Sequence, residues 1–232
     1  MRKIGVIGGM SWESTALYYR MINEEVKREL GGLHSAEMII YSVDFEEIER
    51  YQANNEWEKA TNVLADAAKS LEKAGADFFI LATNTMHKVI DEVAAAVSIP
   101  TIHIADATAH VIKQSGFTRV ALLGTKYTME EQFYKGKLEQ QGIQVSVPNE
   151  KDRMLINDVI FNELVLGDLR APSKSGFLDI IGNLTHQGAE GVILGCTEIG
   201  MLVKSDDVVV PVYDTTQIHA KAAVKYALNK ES

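Results

Sequence analysis

The chain has 232 residues, 46% of them hydrophobic and 24% charged, which are the proportions of a globular protein with an ample core and argue against disorder. A formal net charge of -9 with no cluster of Lys and Arg argues against a nucleic-acid or anionic-membrane partner, and it means that an acidic ligand needs local positive potential to bind. The single cysteine excludes an internal disulfide and any cysteine-rich metal site.

In chain order, the opening "MRKIGVIGGMSWES" starts with basic residues, but its apolar run breaks at Gly8-Gly9, well short of a secretory leader. No later stretch approaches the roughly 18 apolar residues of a membrane helix. The expectation is a cytoplasmic protein with no membrane partner. Short apolar runs follow at 3–8, 36–43, 77–83, 101–105, 119–124, 144–148, 191–195 and 209–214, read as strands. Amphipathic stretches at about 13–30, 55–74, 85–96, 106–115, 129–141, 151–166, 174–188 and 215–229 read as helices. Strands apolar on both faces that alternate with helices predict an α/β protein with mostly parallel sheets.

The segment 71–90, "LEKAGADFFILATNTMHKVI", is echoed without gaps by 184–203, "LTHQGAEGVILGCTEIGMLV". Both open on Leu, carry Gly-Ala and close an apolar run on Ile-Leu, and Thr83 falls opposite Cys196. "KIGVIGGMSWEST" corresponds likewise to "RVALLGTKYTMEE", and "IPTIHIADAT" to "VPVYDTT", each of the latter a Pro-led strand closing on Asp and a helix cap. Repeats at this spacing predict two pseudo-symmetric lobes, each a mostly parallel sheet flanked by helices, with the active site in the inter-lobe cleft. The division read from the chain gives 1–99 plus 210–232 to the first lobe and 100–209 to the second.

The chemistry-bearing residues gather at the strand ends. Cys196 stands at a strand-to-helix turn with the helix expected to begin near Thr197, and free N–H groups there lower a thiol pKa from ~8.5 towards neutrality. Glu198 either orients that thiol or caps the helix with its carboxylate. Thr83, Asn84 and Thr85 occupy the equivalent turn; one of them suffices as a cap, and the remaining donors suit a ligand carboxylate. Gly8 and Gly9 let the backbone approach a small anion while Ser11 caps the following helix. Met10 and Trp12 either line the cleft or cover the core. The spacing Gly5, Gly8, Gly9 is not that of a dinucleotide fingerprint. The six histidines show no metal-binding spacing, so no metal is expected. His87, one turn beyond Thr83, either orients a cleft group or is a structural histidine.

Taken together, "IGVIGGMSWEST", "YSVDF" (41–45), "ATNTMH" (82–87) and "GCTEIG" (195–200) resemble the aspartate/glutamate racemase family over essentially the full chain. The resemblance implies cofactor-independent racemisation at an amino-acid α-carbon, with one cysteine per lobe on either face of the substrate. It places the second cysteine at Cys196 and the first at Thr83, where this chain departs from the pattern. A thiol titrates near ~8.5, whereas an alcohol lies close to water at ~15.7, a gap of roughly 7 units or about 10 kcal/mol. Thr83 is therefore no ordinary general base, yet its hydroxyl, alone or through water, can still protonate a carbanion. Cys196 then serves as base on the L face and Thr83 as donor on the other. Backbone N–H groups near Met10, Asn84 and Thr197 are expected to hold the substrate carboxylate. Gln52, Arg50 or Lys126 are the candidates for its side chain. The resemblance also implies a homodimer. A single-cysteine decarboxylase or isomerase of small dicarboxylates, and a non-catalytic amino-acid-binding protein, remain open as alternatives.

Overall fold

A computed structural model of the chain describes residues 1–230. The chain divides into two compact units, Met1–Ile104 joined by the chain from His219 onwards, and Ala105–Ile218. Its seams, at 104/105 and 218/219, lie five and nine residues beyond the sequence-derived divisions at 99/100 and 209/210.

In the first unit, strands β1 (Ile4–Gly8), β2 (Met38–Ser42) and β3 (Phe78–Leu81) form a parallel sheet in the order β2-β1-β3, with Ile4 paired to Met38 on one side and to Phe78 on the other. Because side chains alternate along a strand, the sheet feeds two cores. Ile7, Phe79 and Leu81 pack with Ile48, Leu64, Ala68 and Leu71, which come from α2 (Phe45–Ala53) and α3 (Trp57–Lys73). Ile4, Val6, Phe78 and Ile80 pack on the opposite face with Tyr18, Ile22 and Val26, spaced four apart on α1 (Trp12–Leu30). Ala220, Ala223 and Val224 of α11 (Thr215–Ala227) complete that second core. A 3-10 turn over Thr85–Val89 and the short α4 (Ile90–Ala94) replace the single helix expected at 85–96.

The second unit opens with α5 (Ile104–Gln114) and holds β4 (Arg119–Gly124), β5 (Gln144–Ser146), β6 (Gly191–Gly195) and β7 (Val212–Asp214), all parallel, in the order β5-β4-β6-β7. Its remaining helices are α6 (Lys126–Glu130), α7 (Gln132–Gln140), α8 (Glu150–Asn162), α9 (Ala171–His186) and α10 (Ile199–Leu202). Ala121, Leu123, Val192 and Leu194 pack against Ile156 and Ile160 of α8 and against Phe177, Ile181 and Leu184 of α9.

The internal echo is realised in the hydrogen bonding. Shifted by the gapless frame, β3 falls on Gly191–Leu194 of β6, and the next chain segment docks on each strand in the same way: Phe79 donates its N–H to the Pro100 carbonyl at 3.0 Å, and Val192 donates to Pro211 at 2.9 Å. The echo breaks just beyond. β7 forms a ladder with β6, whereas the expected strand 101–105 reduces to one bridge, Phe79 to Thr101. The reason is local, since the Ile102 carbonyl is taken by His219, and the Ile104 N–H, at the first residue of α5, is taken by His87. Asp214 closes β7 and accepts from the N–H groups of Thr216 and Gln217 at 2.9 and 3.1 Å, the cap expected there. Asp106, its supposed counterpart, lies inside α5 instead.

Candidate active site

The first unit presents two polar turns at the carboxyl ends of its strands. After β1, Gly9 adopts φ of +97°, and a Cβ there would stand 2.2 Å from the Val43 carbonyl oxygen, so both the backbone angle and the space require glycine. The Gly9 N–H is not left open for an anion. It donates to Thr15 Oγ1 at 2.8 Å, and Thr15 in turn donates to the Ser11 carbonyl at 2.9 Å. Ser11 is the N-cap of α1 as expected, its hydroxyl accepting from the Ser14 N–H. Met10 is buried and packs in the core with Ile7 and Met86, while Trp12 is exposed.

After β3, the chain turns at Ala82, with the Thr83 N–H donating to the Leu81 carbonyl at 2.9 Å in a three-residue turn. Thr83 itself is half-buried, and Asn84, Thr85 and His87 behind it are buried. Asn84 stands at the cap position of the 3-10 turn without a side-chain capping bond. Gln52 reaches this turn from α2 and donates to Met86 Sδ at 3.0 Å. Arg50 and Lys126 are exposed, and their charged groups lie over the rings of Tyr51 and Tyr127. His87 is tied into the Thr83 turn by Nδ1 at 2.7 Å from the Thr83 carbonyl.

The second unit presents the equivalent turn after β6. Gly195 lets the strand end approach β4, because a Cβ would meet Leu122 at 2.8 Å and the Leu123 carbonyl at 3.0 Å. Cys196 follows, buried, with its thiol donating to Glu198 Oε2 at 2.9 Å. The Thr197 hydroxyl donates to the same carboxylate oxygen at 2.6 Å. Glu198 thus orients the thiol, and it makes no side-chain capping bond to α10.

The expected acidification of Cys196 is overturned. Burial pushes the thiol pKa well above its ordinary value, and the Glu198 carboxylate pushes it further by charge and by accepting the S–H. The backbone N–H groups of Glu198 and Ile199 pull the other way, as anticipated, but they lose. The helix read at Thr197 starts only at Ile199 and runs for four residues, too short to supply the field of a full helix. The resting site therefore holds a neutral thiol hydrogen-bonded to a proton acceptor. Among the described residues, no group of three or more His, Cys, Asp or Glu side chains is arranged to hold a metal ion, and no helix is long and apolar enough to cross a membrane.

Comparison with known proteins gives the class. The sequence model of Asp/Glu/hydantoin racemases matches residues 7–223, and the chain belongs to that family. That places it among the amino-acid racemases, which are isomerases. It is similar to a candidate Asp/Glu racemase from Yersinia pestis, with 54% identity and a TM-score of 0.92 over 98% of this chain and 100% of that one. It is likewise similar to an aspartate racemase homologue from Pyrococcus horikoshii OT3, at 41% identity and a TM-score of 0.85 with the same coverage. A broad specificity amino-acid racemase of Bacillus subtilis (strain 168), RacX, is 24% identical over 99% of this chain and all of its own length.

Proposed function

We propose that the chain racemises an acidic amino acid, aspartate or glutamate, by proton transfer at the α-carbon without a cofactor, with Cys196 as base on the L face and Thr83 or a water as donor on the other. One observation carries this reading: the lone thiol stands in the repeated strand-end turn, opposite Thr83 in the sequence echo, and already donates to a carboxylate at 2.9 Å. Cys196 also packs with the core of the second unit, and the carboxylate partner is what distinguishes it from a cysteine that only packs.

Glu198 takes the thiol proton, the thiolate removes the α-hydrogen of the L-amino acid, and the thiol is restored. The carbanion is then protonated on its opposite face from the Thr83 hydroxyl, which recovers a proton from water while Glu198 releases one to solvent. The α-ammonium of the bound amino acid favours the first transfer, since a cation nearby stabilises a thiolate. Proton transfer on the Thr83 face is the slower of the two, so the α-hydrogen exchanges faster from the L- than from the D-enantiomer, while kcat/KM for inversion is the same in both directions. The equilibrium between the enantiomers is unchanged.

Asn84, Thr85 and Thr197 supply donors for the substrate carboxylate in this reading, and Gln52 and Met10 shape the side-chain end. Incubation with a panel of L-amino acids followed by chiral chromatography, beside Cys196→Ser, tests it. D-aspartate or D-glutamate is the expected product, and a decarboxylated or geometrically isomerised product would replace the racemase reading with another single-thiol reaction.

A further inference from the structure

The first unit contains a buried set of rings that the reaction above does not use: Tyr18, His87, His103 and His219. We propose that His87 is a positioning residue, fixing the turn that carries Thr83 by holding its carbonyl against the chain at 102–104. The inference rests on the assignment of Thr83 as the proton donor.

The geometry sets the state of the imidazole. Nε2 lies 3.3 Å from the Ile104 N–H, which can only donate, so Nε2 accepts. Nδ1 lies 2.7 Å from the Thr83 carbonyl, which can only accept, so Nδ1 carries the hydrogen. Only the neutral Nδ1–H tautomer satisfies both bonds. The ring has little room to turn. His103 lies against it with centroids 4.7 Å apart, and His219 meets it edge-on at 5.7 Å. His219 is itself pinned, by the Tyr18 hydroxyl at 2.9 Å and the Ile102 carbonyl at 2.8 Å. Residues 102 and 104 are thereby held from two sides, and the Thr83 carbonyl is fastened to them through one ring. Burial and the neighbouring imidazoles hold the His87 pKa well below the ordinary value, which agrees with the neutral ring.

The second unit shows that the turn alone does not demand this histidine. In the gapless echo His87 corresponds to Gly200, where a Cβ would meet the Asp214 carboxylate at 2.7 Å. The two turns are held by different means, Cys196 by Glu198 through its side chain and Thr83 by His87 through its backbone. A hydroxyl that must deliver a proton without the reactivity of a thiol gains most from accurate placement.

The test uses two variants that each keep one of the two hydrogen bonds. In His87→Asn the amide lies near the position of Nδ1 and still donates to Thr83; in His87→Gln it lies near Nε2 and accepts from Ile104 but leaves the Thr83 carbonyl unheld. L-aspartate and L-glutamate are incubated in heavy water, and formation of D-enantiomer is compared with deuterium uptake into the remaining L-enantiomer. Inversion needs both Cys196 and Thr83 whereas exchange into the L-enantiomer needs Cys196 alone, so the ratio of the two reads the placement of Thr83. The expected result is a fall of about tenfold in the ratio of inversion to exchange for His87→Gln, with His87→Asn within about twofold of wild type. An unchanged ratio in both variants, or an equal fall in both, would overturn the positioning role. Absence of both reactions in the wild type would instead overturn the racemase reading itself. Should neither variant fold, nitrogen-15 NMR of wild-type His87 decides: the Nδ1–H tautomer at neutral pH supports the proposal, and a charged or Nε2–H ring contradicts it.

Discussion

At the scale of single residues, the weight falls on the pair Cys196 and Glu198. The carboxylate has two opposed effects on one sulfur: it raises the thiol pKa, and it is the acceptor through which the thiol can lose its proton. These effects separate on substitution. In Glu198→Gln the thiol should react with iodoacetamide at a lower pH than in wild type, because the negative charge that opposes ionisation is gone. Racemisation should nevertheless slow by about 100-fold or more, the scale of losing a general acid/base partner. Alkylation rates against pH beside turnover rates check both statements, and parallel movement of the two would contradict the division of roles. Cys196→Ser should lose at least as much turnover as Glu198→Gln, since the serine hydroxyl shares the weak acidity of Thr83.

At the scale of elements, the strand-end turns carry the residues of the proposed reaction, and their sequences were legible to different depths. The glycine at the end of β1, the Ser11 cap and the Gly195-Cys196 turn follow from residue type alone, because each solves a steric or hydrogen-bonding problem that few residues can solve. Gly9→Ala should lower unfolding stability by about 2 kcal/mol or more, since the added Cβ meets the Val43 backbone and the angle suits glycine. Chemical denaturation measures this, and a change under about 0.5 kcal/mol would mean that the β2 end yields easily.

Other elements were hidden for physical reasons. Helix α2 escaped because it is short and carries Glu at three positions, although Asp44 does cap it through the Glu46 N–H. The Thr197 helix start was misplaced because a single turn has too little periodicity to mark its first residue. His87 read as ambiguous because its partners, the Thr83 carbonyl and the Ile104 N–H, are backbone groups that no side-chain spacing announces. The shortened strand at 101–105 had the same cause, since backbone groups captured by His87 and His219 are invisible in the pattern of apolar residues.

At the scale of the whole molecule, the duplicated arrangement β2-β1-β3 and β5-β4-β6-β7 gives two like frames with unlike residues at the matched position. The frame was readable from the echo; its asymmetry lies in the environments of Thr83 and Cys196. The buried rings of the first unit also make the fold sensitive to acid. His219, buried among Tyr18, His87 and His103, has its pKa depressed to about 4 from 6.5. Between those values the unfolded chain binds a proton that the native state refuses, so stability is full above about pH 6.5 and is lost as pH falls towards 4. The loss from this group alone is about 3 kcal/mol, and His87 acts in the same direction. Denaturation midpoints should therefore rise from pH 4 to 6.5 and then level, with a shallower rise in His219→Gln; a slope unaltered by that substitution would contradict the assignment.

In the proposed reaction one face of the substrate meets a thiol able to act as base and the other meets a hydroxyl that can only donate. The most direct measurement is the initial rate of α-hydrogen exchange in heavy water, followed by proton NMR, from L-aspartate and from D-aspartate separately, and likewise for glutamate. Exchange should start at least about 100-fold faster from the L-enantiomer, and equal initial rates from both would contradict the account.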